Sequence, residues 1–242
     1  MGKWKKWLSA GLFTAMLGTA IIAGPTADVS ANAGNKPYNI ENVSPDAQLA
    51  PSVGDSSSKT SSKAWHKIDG VCYNGSGKKV EGAITRGMDV SEWQGKINWK
   101  EAKKDLDFAF VRISYGTRHL DDYYDYNMTE AEAADVPVGT YVYSLAKTNK
   151  EALAEAQLAI RQMQGHKVSY PVAFDLEDEA TLGTLTRKEI SQIALTFCDE
   201  IRKAGYTPIL YMNLNWYNNF VDWNVLEGSG LDVWIASYGD TI

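Results

Sequence analysis

From Arg86 onward, apolar and polar positions follow two alternating periods. Runs with period two predict strands: "RGMDVS" (86–91), "FAFVRISYG" (108–116), "PVGTYVYSLA" (137–146), "YPVAFDLE" (170–177), "YTPILYMN" (206–213) and "LDVWIASYG" (231–239). Between them, helical spacing predicts helices near 98–104, 125–135, 149–164 and 186–204, and a short one near 215–225. Asn98, Asn149 and Thr186 are placed to cap three of these helices, and Gly205 to close the long one. Ile190, Ile193, Ala194, Phe197 and Ile201 form an apolar helix face, and Cys198 falls on it, so its thiol reads as buried. Alternating β and α units imply parallel strands joined by crossover helices. The fold class is therefore α/β, and the periodicity suits either a (β/α) barrel or an open doubly wound sheet.

The pattern changes before residue 85. Lys3, Lys5 and Lys6 precede an apolar stretch from Trp7 to Ala23, and "VSA" (29–31) offers the small residues of a cleavage site. Residues 1–31 are thus expected to be a secretory signal peptide, with an uncleaved membrane anchor as the rival reading. Residues 32–63, ending in "DSSSKTSSK", read as a flexible linker. Residues 64–84 read as a short β-hairpin with "YNGSGKK" as its turn, leading into a main domain over 85–242.

Composition narrows the classes. With 44% hydrophobic residues the chain can bury a sizeable core. The net charge is −6; cleavage after residue 31 removes three lysines and Asp28, a loss of two positive charges, leaving −8. Such a protein has no electrostatic attraction to nucleic acid or anionic lipid. Two cysteines, Cys72 and Cys198, are no disulfide framework, although an exported chain could pair them.

In parallel α/β folds, functional side chains gather at the C-terminal ends of the strands. There this sequence places Asp89, Arg112, Tyr115, Tyr141, Tyr143, Asp175, Glu177, Tyr211, Asn213, Trp234 and Tyr238. Acids with aromatics suit carbohydrate: ring faces stack on Trp and Tyr, and glycosidic cleavage needs an acid and a second stabilising group. Alternation puts Asp175 and Glu177 on one face, with Cα atoms roughly 6.5–7 Å apart. Neighbouring carboxylates push one pKa up, so one can stay protonated and act as the acid. Blander readings compete. A D-x-E triplet is common, Arg112 reads equally as a buried ion-pair partner, and the aromatics as core. Asp178 and Glu179 read as surface or capping acids. Co-location at one rim favours the functional reading. His66, His119 and His166 lack metal-ligand spacing, and no nucleophile elbow, Cys–His arrangement or phosphate loop occurs, so a zinc amidase, a Ser or Cys hydrolase and a nucleotide enzyme are disfavoured.

As a set, "RGMDVSEWQGKINW" (86–99), "FAFVRISYG", "PVGTYVYS", "PVAFDLED", "YTPILYMN" and "VWIASYG" resemble glycoside hydrolase family 25, the N-acetylmuramidase lysozymes, over residues 84–242. The resemblance implies an irregular (β/α) TIM-like barrel. It implies cleavage of the β-1,4 bond between N-acetylmuramic acid and N-acetylglucosamine in peptidoglycan, without cofactor or metal. On it, Glu177 is the general acid, Asp175 orients the substrate's 2-acetamido group as nucleophile, and Asp89 is a further acid of the site. Arg112, Tyr115, Tyr141, Tyr143, Tyr211, Asn213, Trp234 and Tyr238 become sugar-contact candidates. The family pattern continues past "WIASY" to another strand, so residues 85–242 are expected to form a C-terminally incomplete barrel whose first and last strands have open edges. The expected protein is a monomeric secreted or wall-located peptidoglycan hydrolase. The alternatives are a non-catalytic glycan-binding module and a glycosidase of another N-acetylated glycan.

Overall fold

The computed structural model describes residues 6–10, 18–23, 66–74 and 77–237. The predicted strands form β5 (Ala83–Val90), β6 (Phe108–Tyr115), β8 (Val138–Tyr143), β9 (Val168–Asp175), β10 (Pro208–Asn213) and β11 (Asp232–Ser237). Neighbours along the order β11-β10-β9-β8-β6-β5 are all parallel. A two-residue strand absent from the sequence pattern, β7 (His119–Leu120), folds back antiparallel on Ser114 and Tyr115. The sheet curls into the barrel-like α/β architecture that the alternation implies.

Its edges differ from expectation. β1 (Lys6–Ala10) pairs parallel with β11, and β2 (Gly18–Ala23) pairs antiparallel with β5. β1 and β2 also approach each other, which brings the two ends of the sheet together. The edges expected to be open are thus covered by part of the apolar stretch read as an export signal. An unpaired edge presents free N–H and C=O groups, and any extended apolar segment can satisfy them. The predicted linker, 32–63, lies outside the described residues.

The helices are α1 (Trp99–Ala102), α2 (Tyr124–Ala133), α3 (Asn149–Met163), α4 (Glu179–Leu182), α5 (Arg187–Lys203), α6 (Leu214–Asn219) and α7 (Trp223–Leu226). Asn98 and Thr186 cap α1 and α5, the latter with a reciprocal bond from Glu189. Asn149 is not the cap of α3. Thr148 is, its hydroxyl accepting from Glu151 N, because its extended backbone leaves Asn149 as the first helical residue. The single helix expected near 215–225 is two, separated by Phe220–Asp222, and Asp222 starts the second as a new cap. Gly205, at φ 91°, follows the last turn of α5 as predicted.

β3 (His66–Ile68) and β4 (Val71–Tyr73) form the predicted hairpin, but its tight turn is Asp69–Gly70. Both residues have positive φ, 49° and 80°, as a two-residue hairpin turn requires. Tyr73 is instead bridged antiparallel to Lys79, and Asn74 N donates to Lys78 O at 2.9 Å. Cys72 and Cys198 are both buried free thiols. Cys72 packs under Val80 and Ala83, whereas Cys198 lies on the core face of α5, so they belong to different clusters.

Strand alternation divides the core in two. Met88, Val90, Ala109, Val111, Ile113, Val138, Val142, Val172, Phe174, Leu210, Met212, Val233 and Ile235 face the helices in one large cluster. The opposite parity faces the barrel interior. Its lower part is a second cluster of Phe108, Phe110, Ala173, Ile209 and Trp234. Gly139 makes room for it: a Cβ there would come 2.6 Å from both the Phe110 ring and the Pro171 carbonyl. Gly87 leaves the same space for the Phe108 ring.

Candidate active site

The interior parity continues upward from the aromatic floor. On β5 it passes from Gly87 to Asp89, on β6 from Phe110 to Arg112, on β8 from Gly139 through Tyr141 to Tyr143. On β9 it passes from Ala173 to Asp175, and on β10 from Ile209 through Tyr211 to Asn213. Asp175 lies in register between Tyr143 of β8 and Tyr211 of β10. The alternation persists one step beyond β9. Leu176 N donates to Tyr211 O at 2.9 Å and its side chain is fully buried among the helices, so Glu177 returns to the interior side. The predicted candidates from Asp89 to Asn213 therefore share one inner face. Tyr238 lies outside the described residues.

The three acids are electrostatically linked. Asp175 is buried, and its carboxyl is pushed well above the usual range, first by burial and then by the charges of Glu177 and Asp89; Arg112 pulls it back in part. Glu177 is pushed up to about 7, mainly by burial, with a further rise from Asp89 against a hydrogen bond from Asn213. That bond runs from Asn213 Nδ2 to Glu177 Oε2 at 3.4 Å, while Asn213 Oδ1 accepts from Trp216 N at 3.0 Å and caps α6. The cap thus aims the amide N–H at Glu177. Asp89 is also raised, by burial. Among the described residues, Asp175 Oδ1 is buried without a hydrogen-bond partner. Such an orphan acceptor costs about 1–3 kcal/mol unless a donor reaches it.

Other candidates take more specific places. Trp234 is 5% exposed and sits in the floor, tilted against Phe110 and edge-on to Tyr211. Arg112 is an ion-pair partner: its Nε donates to Asp121 Oδ2 at 2.8 Å, and its Nη2 lies 2.8 Å from Glu92 Oε1. Its charge still reaches Tyr141 and Asp175. Tyr115 and Tyr143 stack with centroids 4.8 Å apart, and both hydroxyls donate to Asp178 Oδ2 at 3.3 Å. Asp178 is therefore more than a surface acid. It caps α4, accepting from Thr181 N, and ties β6 and β8 to the mouth of the site. Glu179 is exposed, as expected.

Three further residues support the predicted candidates. Asp121, buried, accepts from Arg112 Nε, Glu92 N and Tyr123 N. Glu92 joins Arg112 to His119. Glu155, on α3, is buried and raised to about 7 by burial. It accepts from Ser144 Oγ and Leu145 N, and Ser144 N donates to the Asp175 carbonyl. A Glu on a helix face among alanines (Ala152, Ala156, Ala159) is the one signal that could have exposed it. Among the described residues, no group of three or more His, Cys, Asp and Glu could hold a metal ion. No described helix is long and apolar enough to cross a membrane.

Comparison with known proteins follows the same residues. The profile of Glycosyl hydrolases family 25 matches residues 88–241. The uncharacterized protein YegX of Escherichia coli strain K12 is 26% identical over 166 residues, which is 63% of this chain and 56% of YegX. Lysozyme M1 of Streptomyces globisporus is 26% identical over 164 residues, 64% of this chain and 55% of that enzyme. This chain thus spans little more than half the length of either relative. A solved family 25 glycosyl hydrolase from Bacillus anthracis superposes with a TM-score of 0.53 at 23% identity, over 64% of this chain and 73% of that one. At that identity the likeness speaks for the fold.

Proposed function

This chain belongs to glycosyl hydrolases family 25, and from that membership and the geometry of its acids we propose that it is a peptidoglycan hydrolase. The bond cut is the β-1,4 linkage between N-acetylmuramic acid and N-acetylglucosamine. Lysozyme M1, a relative by sequence, supports the substrate class. The observation that carries the reading is the pairing of a raised Glu177 with the orphan acceptor of Asp175. A substrate 2-acetamido group brings an N–H donor for that acceptor, together with a carbonyl oxygen able to attack the anomeric carbon.

In this mechanism Glu177 gives its proton to the leaving glycosidic oxygen as the C1–O bond breaks. The acetamido carbonyl oxygen forms the new bond to C1, and Asp175 accepts the amide N–H; the positive charge that develops favours its ionised form against the burial that raises its pKa. Ionised Glu177 then takes a proton from the water that reopens the ring. This substrate-assisted route departs from the two-carboxylate pattern. It suits two acids two residues apart on one strand, since no enzymic nucleophile has to reach C1. Asp89 keeps the cluster short of full ionisation, since its charge raises both partners. Tyr141, Tyr143 and Tyr211 line the cleft walls. Residues 1–31 serve as the export signal that brings the enzyme, as a monomer, to the wall, and their removal there uncovers the edges of β11 and β5 that 6–10 and 18–23 pair with.

The test is digestion of purified peptidoglycan with mass spectrometry of the products. Fragments ending in reducing N-acetylmuramic acid are expected. Fragments ending in reducing N-acetylglucosamine, or binding without cleavage, would replace this reading with a glucosaminidase or a binding module.

A further inference from the structure

Of the six most exposed large apolar side chains among the described residues, Trp93, Tyr115, Leu120 and Leu214 lie at or just beyond the C-terminal ends of barrel strands, the side that carries the acids, whereas Ile84 lies near the start of β5 and Ile68 ends β3. Trp93 is the most exposed of them, at 74%. It occupies the middle of a 3-10 turn, Glu92–Gln94, directly after β5 and four residues from Asp89.

That turn is held from every side. Ser91 and Gln94 form a reciprocal cap, with Ser91 N donating to Gln94 Oε1 at 2.7 Å. Gly95 N returns to Glu92 O at 3.0 Å. Glu92 N donates to Asp121, while the Glu92 carboxylate meets Arg112 at 2.8 Å and His119 at 2.8 Å. Asp121 and Arg112 are themselves buried and paired. Exposed indole is normally tolerated on mobile surface. Here a buried ion-pair network fixes the backbone beneath a side chain that touches almost nothing. Rigid exposed aromatic surface loses little entropy when a ligand stacks on it.

We propose that Trp93 is an outer glycan platform, a stacking site for a pyranose ring of the same strand that enters the cleft, more than one sugar away from the scissile bond. The position follows from the sheet order, in which β5 and β9 are separated by β6 and β8. Three strand spacings of about 4.8 Å measure roughly 14 Å along the sheet, an upper bound because the sheet curls, and Trp93 lies a further four residues beyond Asp89. The occupant is neutral pyranose face, since the chain's net charge of −6 gives a polyanion no attraction. The inference rests on the hydrolase reading for its ligand but not for its readout.

The test uses the full chain carrying Glu177→Gln, which holds glycan without cutting it. Binding is measured to a single N-acetylmuramic acid–N-acetylglucosamine disaccharide and to long glycan strands. W93A is expected to weaken long-strand binding roughly tenfold, leave the short glycan within twofold, and be largely rescued by W93F. Unchanged long-strand affinity overturns the proposal, and so does an equal loss on both glycans, which would move Trp93 to the centre of the cleft. A shift from dimer to monomer in W93A, with glycan affinity intact, would assign the indole to a second copy and also overturn it. A wild-type chain that binds through Trp93 but releases no product sinks the hydrolase reading alone.

Discussion

The lower and upper halves of the barrel interior are built on the same strands with the same parity, yet they do opposite things. Below, Phe108, Phe110, Ala173, Ile209 and Trp234 exclude water. Two residues further along, Arg112, Asp175 and Tyr211 replace Phe110, Ala173 and Ile209. The dry half acts on the polar half. Asp175 and Glu177 owe the largest part of their raised pKa to burial, and the aromatic floor is the layer that precedes Asp175 on the same strand faces. Packing residues on the helix side stabilise the fold; packing residues on the inner side also set proton affinity.

The strongest way to break the comparison is to change the upper half alone. Glu177→Gln should cut peptidoglycan turnover on the order of 10³-fold, with the far-UV spectrum unchanged. Asp175→Asn should lose a similar amount. It swaps the orphan acceptor for a group that can turn a donor toward the substrate N–H. A glycan-release assay beside circular dichroism checks both.

Changing the floor should disturb both halves. Phe110→Ala is expected to cost about 3–5 kcal/mol in urea unfolding. Water admitted beneath Asp175 and Glu177 would also lower their pKa values. The basic limb of the pH–activity profile, which for wild type should fall as pH climbs through about 7 when Glu177 loses its proton, should then move to lower pH in the surviving folded fraction.

The proton affinity of the upper half also has a stability signature. Glu177 keeps its proton in the folded chain above the ordinary value of 4.5, up to about 7. Across that window the folded state binds more protons than the unfolded state, so this contribution to stability falls as pH rises. Glu177→Gln removes the group, and its melting temperature should exceed wild type by roughly 2–4 °C near pH 8. The two should converge near pH 4. Calorimetry at both pH values checks the sign.

The smallest effect belongs to the mouth. Tyr143→Phe removes one of two hydroxyls from Asp178 and keeps the stack on Tyr115. A loss in kcat/KM of no more than about fivefold is expected, since one hydrogen bond of 3.3 Å is weak.

Strand identity and the inner–outer division could be read from the chain because successive side chains of a strand must point to opposite faces. That covalent fact alone places Asp89, Arg112, Tyr143, Asp175, Glu177 and Asn213 on one side. The resemblance of the motifs to family 25 added the expectation of which bond such a set attacks. Helix boundaries were less legible. Thr148 and Asn149 are both good caps, and only the backbone conformation chooses between them.

The tertiary structure decided who meets whom. Asp178 joins Tyr115 across 63 residues, Glu177 takes Asn213 across 36, and Arg112 is claimed by Asp121 and Glu92. It also set residues 6–10 and 18–23 on the two sheet edges and left Asp175 Oδ1 without a partner among the described residues. Alternation fixes the face of a strand, but the partner of a polar group depends on how far the sheet curls. That is set by packing summed over the whole barrel, and no local stretch of sequence contains it.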